Sequence, residues 1–114
     1  MALGDDNTAI GNQNEIMGQS NSAKGDKNKI FGKTNMVIGD ENDLTGNYNL
    51  AQGDGNKIDG NGNGVKGDKN EITQDKNVVA GNENKVDGKM NLVGGHHNNL
   101  KGDLHKVVGH NNQV

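Results

Sequence analysis

A seven-residue repeat runs through the whole chain and constrains its fold more than any other feature. Glycine stands at every seventh position from Gly4 to Gly109, with Gln74 as the one departure. Asparagine follows three residues after each of these positions, except at His105, and an apolar residue comes two residues later. The unit is therefore G-x-x-N-x-[VIL]-x, repeated sixteen times without an insertion. A regular short period of this kind predicts a repeat architecture.

The residue types in this unit exclude a helix and favour a strand. A helical heptad needs two apolar positions and good helix formers, whereas this unit has one reliable apolar position and places Gly and Asn, both unfavourable in helices, in every repeat. The segment N-x-V-x alternates inward and outward as a strand does, and G-x-x supplies a turn in which Gly tolerates positive φ. Each unit is thus predicted to be one short strand and one turn.

The outward positions indicate that two units make one turn of a solenoid. In alternate units the residue after Asn carries charges of alternating sign at a spacing of fourteen residues, which places opposite charges about 4.8 Å apart along a stack. These positions form the predicted charge ladder: Glu15, Lys29, Asp43, Lys57, Glu71 and Lys85. We expect a single domain, residues 1–114, folded as an all-β parallel β-solenoid (β-roll) of eight turns. Each turn has fourteen residues and two strands, and the rod is about 38 Å long.

The two outward faces of this rod differ in character. The face that carries the charge ladder is called the ladder face. We predict salt bridges between the neighbouring opposite charges on it. The other, called here the aliphatic face, holds the two outward residues of each strand in the remaining units, from Thr8 and Ile10 to Lys106 and Val108. Half of its outward positions are apolar and form a candidate assembly face: Ile10, Met36, Ile38, Leu50, Val78, Ala80, Leu92 and Val108.

Composition narrows the functional classes. Only 28% of the residues are apolar, so order must come from the stacking of repeats rather than from a globular core. The absence of Arg and Trp and the net charge of -3 argue against nucleic acid as a partner. No apolar run is long enough for membrane insertion, and no nucleophile lies beside a base, so we expect a non-enzymatic protein.

One corner of the rod collects metal-ligating side chains. The residue after Gly in alternate units reads Asn12, Asp26, Asp40, Asp54, Asp68, Asn82, His96 and His110. The four stacked carboxylates are candidate calcium ligands, or else turn-forming residues that cap backbone amides. His96 above His110 is a candidate transition-metal or acid-sensing pair, with solvated corner residues as the alternative, and His105 takes the place of Asn in its column. No other cofactor is expected.

The repeat resembles two known families. G-x-x-N-x-V-x from Gly4 to Val114 is similar to the repeat of the grass ice-recrystallisation-inhibiting antifreeze proteins, which implies a β-roll with an asparagine ladder and ice binding through outward Thr or Ser. The stretch from Ala2 to Gly11 resembles head repeats of bacterial trimeric autotransporter adhesins, which implies a left-handed roll that associates through its less polar face. Both resemblances imply an extracellular or cell-surface location.

Two functional hypotheses follow. The first is a structural role in which the chain associates with itself through the aliphatic face and end to end, as a fibre, surface or adhesin-head element. The alternative is ice binding, which the outward residues support only in part, because Thr8, Ser22, Thr45 and Thr73 are scattered over both faces.

Overall fold

The chain folds as a rod of sixteen strands. The computed structural model describes residues 1–114. The strands in chain order are β1 (Ala2–Leu3), β2 (Thr8–Ile10), β3 (Glu15–Gln19), β4 (Ser22–Lys24), β5 (Lys29–Lys33), β6 (Met36–Ile38), β7 (Asp43–Asn47), β8 (Leu50–Gln52), β9 (Lys57–Asp59), β10 (Gly64–Lys66), β11 (Glu71–Thr73), β12 (Val78–Ala80), β13 (Lys85–Asp87), β14 (Leu92–Gly94), β15 (Asn99–Lys101) and β16 (Lys106–Val108).

These strands form two parallel sheets of eight strands each, one from the odd-numbered and one from the even-numbered strands. Every strand pairs with the strand two places along the chain, so that Ile72 lies beside Ile58 and Val79 beside Val65. Vertical neighbours are therefore fourteen residues apart, as predicted, and the molecule measures 39 × 21 × 12 Å. The predicted eight-turn β-solenoid is confirmed.

The interior is two columns of aliphatic side chains that meet between the sheets. The sheet under the ladder face contributes the larger ones, Ile16, Ile30, Leu44, Ile58, Ile72, Val86 and Leu100. The opposite sheet contributes smaller ones, Ala23, Val37, Ala51, Val65, Val79, Val93 and Val107. Because a large residue faces a small one across the thin interior, the two columns fill it without large side chains on both sides. Ala9 and Val114 lie in the same columns but are exposed.

An asparagine ladder closes each corner of the rod. The Asn28 backbone N–H donates to Asn14 Oδ1 at 3.0 Å, and Asn28 Nδ2 donates to the Gly39 carbonyl at 2.7 Å. The same pattern repeats from one coil to the next, and no buried side-chain polar atom lacks a partner. Since an unsatisfied buried amide costs about 1–3 kcal/mol, full satisfaction explains how a chain this polar holds a dry interior.

Glycine is needed before each asparagine because the coils approach closely at this point. The amide of Asn28 bonds the carbonyl of Gly39, which is the equivalent glycine of the next coil. The Gly39 carbonyl lies so close to the preceding coil that a Cβ on Gly25 would be 2.1 Å from its oxygen. The φ angle of Gly25 is +129°, which only glycine adopts freely. The recurrent Gly and Asn therefore act together. Glycine, which has no Cβ, lets two consecutive coils approach, and the asparagine amide of one coil bonds the glycine carbonyl of the next.

Gln74 occupies a glycine position at a structural cost. Its φ is +84°, compared with +107° to +149° for the glycines at the equivalent position. In the coil that follows, the bond from Gly88 N to the Thr73 carbonyl lengthens to 3.2 Å, whereas the corresponding bond from Gly81 to Lys66 is 2.9 Å. The side chain thus opens the corner slightly without breaking the stack.

Candidate functional site

The aliphatic face is one eight-stranded sheet whose outward side chains repeat in register. Its large apolar side chains are exposed by 40% to 76%: Ile10, Met36, Ile38, Leu50, Val78, Leu92 and Val108. Ala80, the last member of the candidate assembly face, is exposed as well. All eight candidate residues therefore point outward from one sheet. An exposed apolar surface of this extent is typical of a site that contacts a partner.

Charge is sparse on the aliphatic face and of one sign. Its sixteen outward positions carry three lysines, Lys24, Lys66 and Lys106, and no acidic residue. All three lysines are exposed. No carboxylate oxygen lies within 4.0 Å of their Nζ atoms. The face thus combines exposed apolar side chains with unpaired positive charge.

The ladder face has the predicted register but not the predicted salt bridges. Glu15 pairs in register with Lys29, and Lys57 with both Asp43 and Glu71. The expectation of direct salt bridges is wrong, because the one acid–base contact within 4.0 Å in the molecule is elsewhere, between His97 and Glu83. Solvated side chains at neighbouring strand positions are free to extend away from each other, and a surface ion pair gains too little energy to hold them.

The acidic corner column bonds the backbone. Asp26 Oδ1 accepts the Asn12 backbone N–H at 2.7 Å, and Asp40 Oδ1 accepts that of Asp26 at 2.7 Å. Asp54 and Asp68 continue the series, at 2.8 and 2.9 Å. In each of these residues, one carboxylate oxygen therefore accepts a hydrogen bond from a backbone N–H of the preceding coil.

The structure does not gather these carboxylates into a ligand cluster. No group of three or more acidic or histidine side chains is placed to hold a metal ion. The amide-capping interpretation of the corner column agrees with its hydrogen bonds. Calcium binding by Asp26, Asp40, Asp54 and Asp68 stays a prediction.

Two histidines extend this corner column. The Asn82 backbone N–H donates to His96 Nδ1 at 3.1 Å, and the His96 backbone N–H donates to His110 Nδ1 at 3.3 Å. The two rings stack with centroids 5.0 Å apart and planes 6° from parallel. Because Nδ1 is the acceptor, the proton of each neutral ring is on Nε2, which leaves no lone pair there for a metal. His96 and His110 thus cap backbone N–H groups with Nδ1, as Asp26 and Asp40 do with Oδ1.

His105 stands in the asparagine ladder, as its position in the repeat indicates. Its backbone N–H donates to Asn91 Oδ1 at 2.9 Å, as an asparagine at this position would. Its ring nitrogen Nε2 lies where a Cβ on Gly102 would approach to 2.9 Å. The imidazole therefore fills the space beside the glycine that the Asn amide fills in other coils.

A second residue with positive φ in each corner was not predicted. The residue two places after Gly has φ between +56° and +68° in every unit, and in most units it is not glycine. Tyr48, Met90 and Leu104 are among these residues, and all three are exposed. The residue types at this position are mixed, so the sequence gives no signal for the left-handed conformation apart from Gly55 and Gly62.

Comparison with known proteins identifies the family. A family model described as "Grass antifreeze beta roll" matches residues 23–112, which is most of the chain. The chain belongs to this grass antifreeze β-roll family. A search of curated proteins finds no match. The predicted resemblance to the antifreeze β-rolls is confirmed, whereas nothing supports or contradicts the resemblance to adhesin heads. In this antifreeze β-roll, no helix is long and apolar enough to cross a membrane.

Proposed function

We propose that this antifreeze β-roll is a non-enzymatic, extracellular protein that binds ice through its aliphatic face. The name of its family supports ice as the ligand. The observation that carries the choice of face is the difference in outward charge between two sheets of the same geometry. Three of sixteen outward positions are charged on the aliphatic face, whereas the ladder face carries Glu15, Lys29, Asp43, Lys57, Asp59, Glu71, Lys85, Asp87 and Lys101.

Charge matters because ice presents a rigid lattice of water. Each charged side chain holds its own hydration shell, which does not match that lattice, while small and aliphatic side chains in a repeating array leave the surface water free to order. The aliphatic face supplies such an array over the whole 39 Å rod. Hydroxyl groups contribute at one end only, through Thr8 and Ser22.

The test is inhibition of ice recrystallisation at micromolar protein, with variants matched between the faces. Leu50 and Thr45 are both exposed outward residues, one on each face. We expect Leu50→Glu to reduce inhibition severely and Thr45→Glu to leave it within about twofold of the unmodified chain. Circular dichroism checks that both variants fold. Equal inhibition by the two variants, or none from the unmodified chain, would contradict the proposal.

Self-association through the same face is the second candidate, because seven large apolar side chains are exposed there. Two copies packed face to face would bring lysines of like sign together, which weakens the contact but does not forbid an offset arrangement. Sedimentation velocity at tens of micromolar distinguishes the two functions. A concentration-dependent shift to dimers or filaments, lost in Leu50→Glu, supports association, and a monomer at every concentration removes it.

A further inference from the structure

The outward charge of the molecule is segregated by face. The chain has a net charge of -3, from 12 lysines and 15 acidic residues. The aliphatic face carries three lysines and no acid, a charge of +3. The ladder face carries four lysines and five acids, a charge of -1, so the corners hold the remaining -5. An acidic molecule therefore presents one positive side.

The three lysines are evenly spaced. Lys66 lies 42 residues, or three coils, after Lys24, and Lys106 is in the coil three further on. Three coils correspond to about 14 Å, which exceeds the screening length of about 8 Å at physiological salt, so the lysines repel one another little. Between them lie the exposed side chains of Met36, Leu50 and Val78. Positive charge and apolar surface alternate along the rod.

This chemistry fits one class of surface. A lysine-bearing apolar face complements an anionic lipid bilayer, where ammonium groups meet phosphate and carboxylate head groups and aliphatic side chains enter the boundary with the acyl chains. A second copy of the chain would set lysines against lysines. The face is poorly suited to nucleic acid, because it has no aromatic side chain on which a base could stack and no arginine to bind a phosphate.

We propose that the aliphatic face docks on anionic lipid bilayers, with the rod lying flat on the surface. The strands stay paired within the sheet, so the backbone polar groups remain bonded at the interface. The ladder face points to water, on the far side of a molecule 12 Å thick in its shortest dimension. The proposal uses the face assigned to ice but does not depend on ice binding.

The experiment is co-sedimentation of the full chain with vesicles of phosphatidylcholine alone or mixed with phosphatidylserine. Each lysine near an anionic surface contributes about 1 kcal/mol, so three lysines predict roughly 100-fold tighter binding to the mixed vesicles. The test variant replaces Lys24, Lys66 and Lys106 with Gln. The matched control replaces Lys29, Lys57 and Lys85 with Gln. Both variants change the net charge from -3 to -6.

We expect the test variant to lose most of the preference for phosphatidylserine and the control to keep it within about threefold. Equal loss in both variants would show that overall charge governs binding, and this would overturn the proposal. Equal binding of the unmodified chain to neutral and to mixed vesicles would also overturn the proposal. So would displacement of the chain from vesicles by soluble heparin, if the chain binds heparin as tightly as it binds the vesicles. The recrystallisation assay on the same variants tests the ice proposal independently of lipid binding, because ice carries no charge with which a lysine could pair.

Discussion

Replacing Gln74 with glycine should stabilise the rod. Gln74 has φ of +84° at a position where every other unit has glycine. A non-glycine residue in so sparsely populated a conformation costs about 1–3 kcal/mol. Glycine offsets about 0.5–1 kcal/mol of the gain, because it is more flexible in the unfolded chain and loses more conformational entropy on folding. The difference between the middle values of these two ranges gives an expected net gain of about 1 kcal/mol.

This gain converts to a measurable change in melting temperature. The entropy of unfolding is about 2.1 cal/mol/K per residue, or roughly 240 cal/mol/K for this chain, so Gln74→Gly should raise Tm by about 4 °C. Thermal unfolding followed by circular dichroism measures it. Gln74→Ala is the matched control, because it removes the side chain and its 3.3 Å bond to Asp87 but keeps the Cβ. It should not raise Tm.

The reverse change tests the steric part of the reasoning. A Cβ on Gly67 would be 1.9 Å from the Gly81 carbonyl oxygen, at a corner that no side chain has opened. Gly67→Gln should therefore cost more than about 2 kcal/mol. If Gln74→Gly and Gln74→Ala shift Tm equally, or if Gly67→Gln is silent, the glycine is not required by contact between coils and the reasoning is refuted.

Three further predictions concern the ladders and the core. Asn56→Ala should cost about 2–4 kcal/mol in chemical unfolding, because the Gly67 carbonyl and the buried Asn70 N–H of the next coil both lose their partner; a loss below 1 kcal/mol would contradict this. Ile72→Asp should unfold the rod, since it buries an unpaired charge in a side chain now 1% exposed, and a folded circular dichroism spectrum would show the inward assignment to be wrong. Lys57→Glu should cost at most about 1 kcal/mol, because the ladder has no direct ion pair to lose and its repulsion is screened; the cost should fall further as salt is added.

The sequence was sufficient to predict the features that every unit shares. An apolar residue at a fixed place in each unit, and charges alternating in sign at spacing fourteen, determine which strands are vertical neighbours; the pairing of Ile72 with Ile58 follows from them. The asparagine ladder followed as well, because a buried amide must find partners and the identical coils above and below supply them. Repetition made these inferences strong, since any error of register would misplace all units together.

The features that lay beyond sequence reasoning depend on single side chains or on backbone angles. The left-handed residue two places after Gly left no pattern, because its side chain points to solvent and tolerates Tyr48 or Leu104 as well as glycine. The absence of ion pairs on the ladder face was not predicted for a related reason. Strand register determines the positions of the Cα atoms, but it does not determine the position of Nζ in a flexible lysine. Gln74 shows that the stack also absorbs one unfavourable residue, because many bonds in other coils hold it in place.

The distribution of charge between the faces has no explanation in folding. Both sheets have eight parallel strands, and in both of them neighbouring strands pair at a spacing of fourteen residues. Stacking alone would accept acidic residues on the aliphatic face as readily as on the ladder face, where five occur. Acidic residues nevertheless avoid all sixteen outward positions of the aliphatic face, and exposed apolar side chains remain there although they gain nothing from exposure. The two proposed surfaces would account for both observations, because charge of either sign disfavours contact with ice and negative charge disfavours contact with an anionic bilayer. The two surfaces differ in their effect on Lys24, Lys66 and Lys106, because these charges work against contact with ice but favour contact with an anionic bilayer, so the substitution of the three lysines separates the two functions.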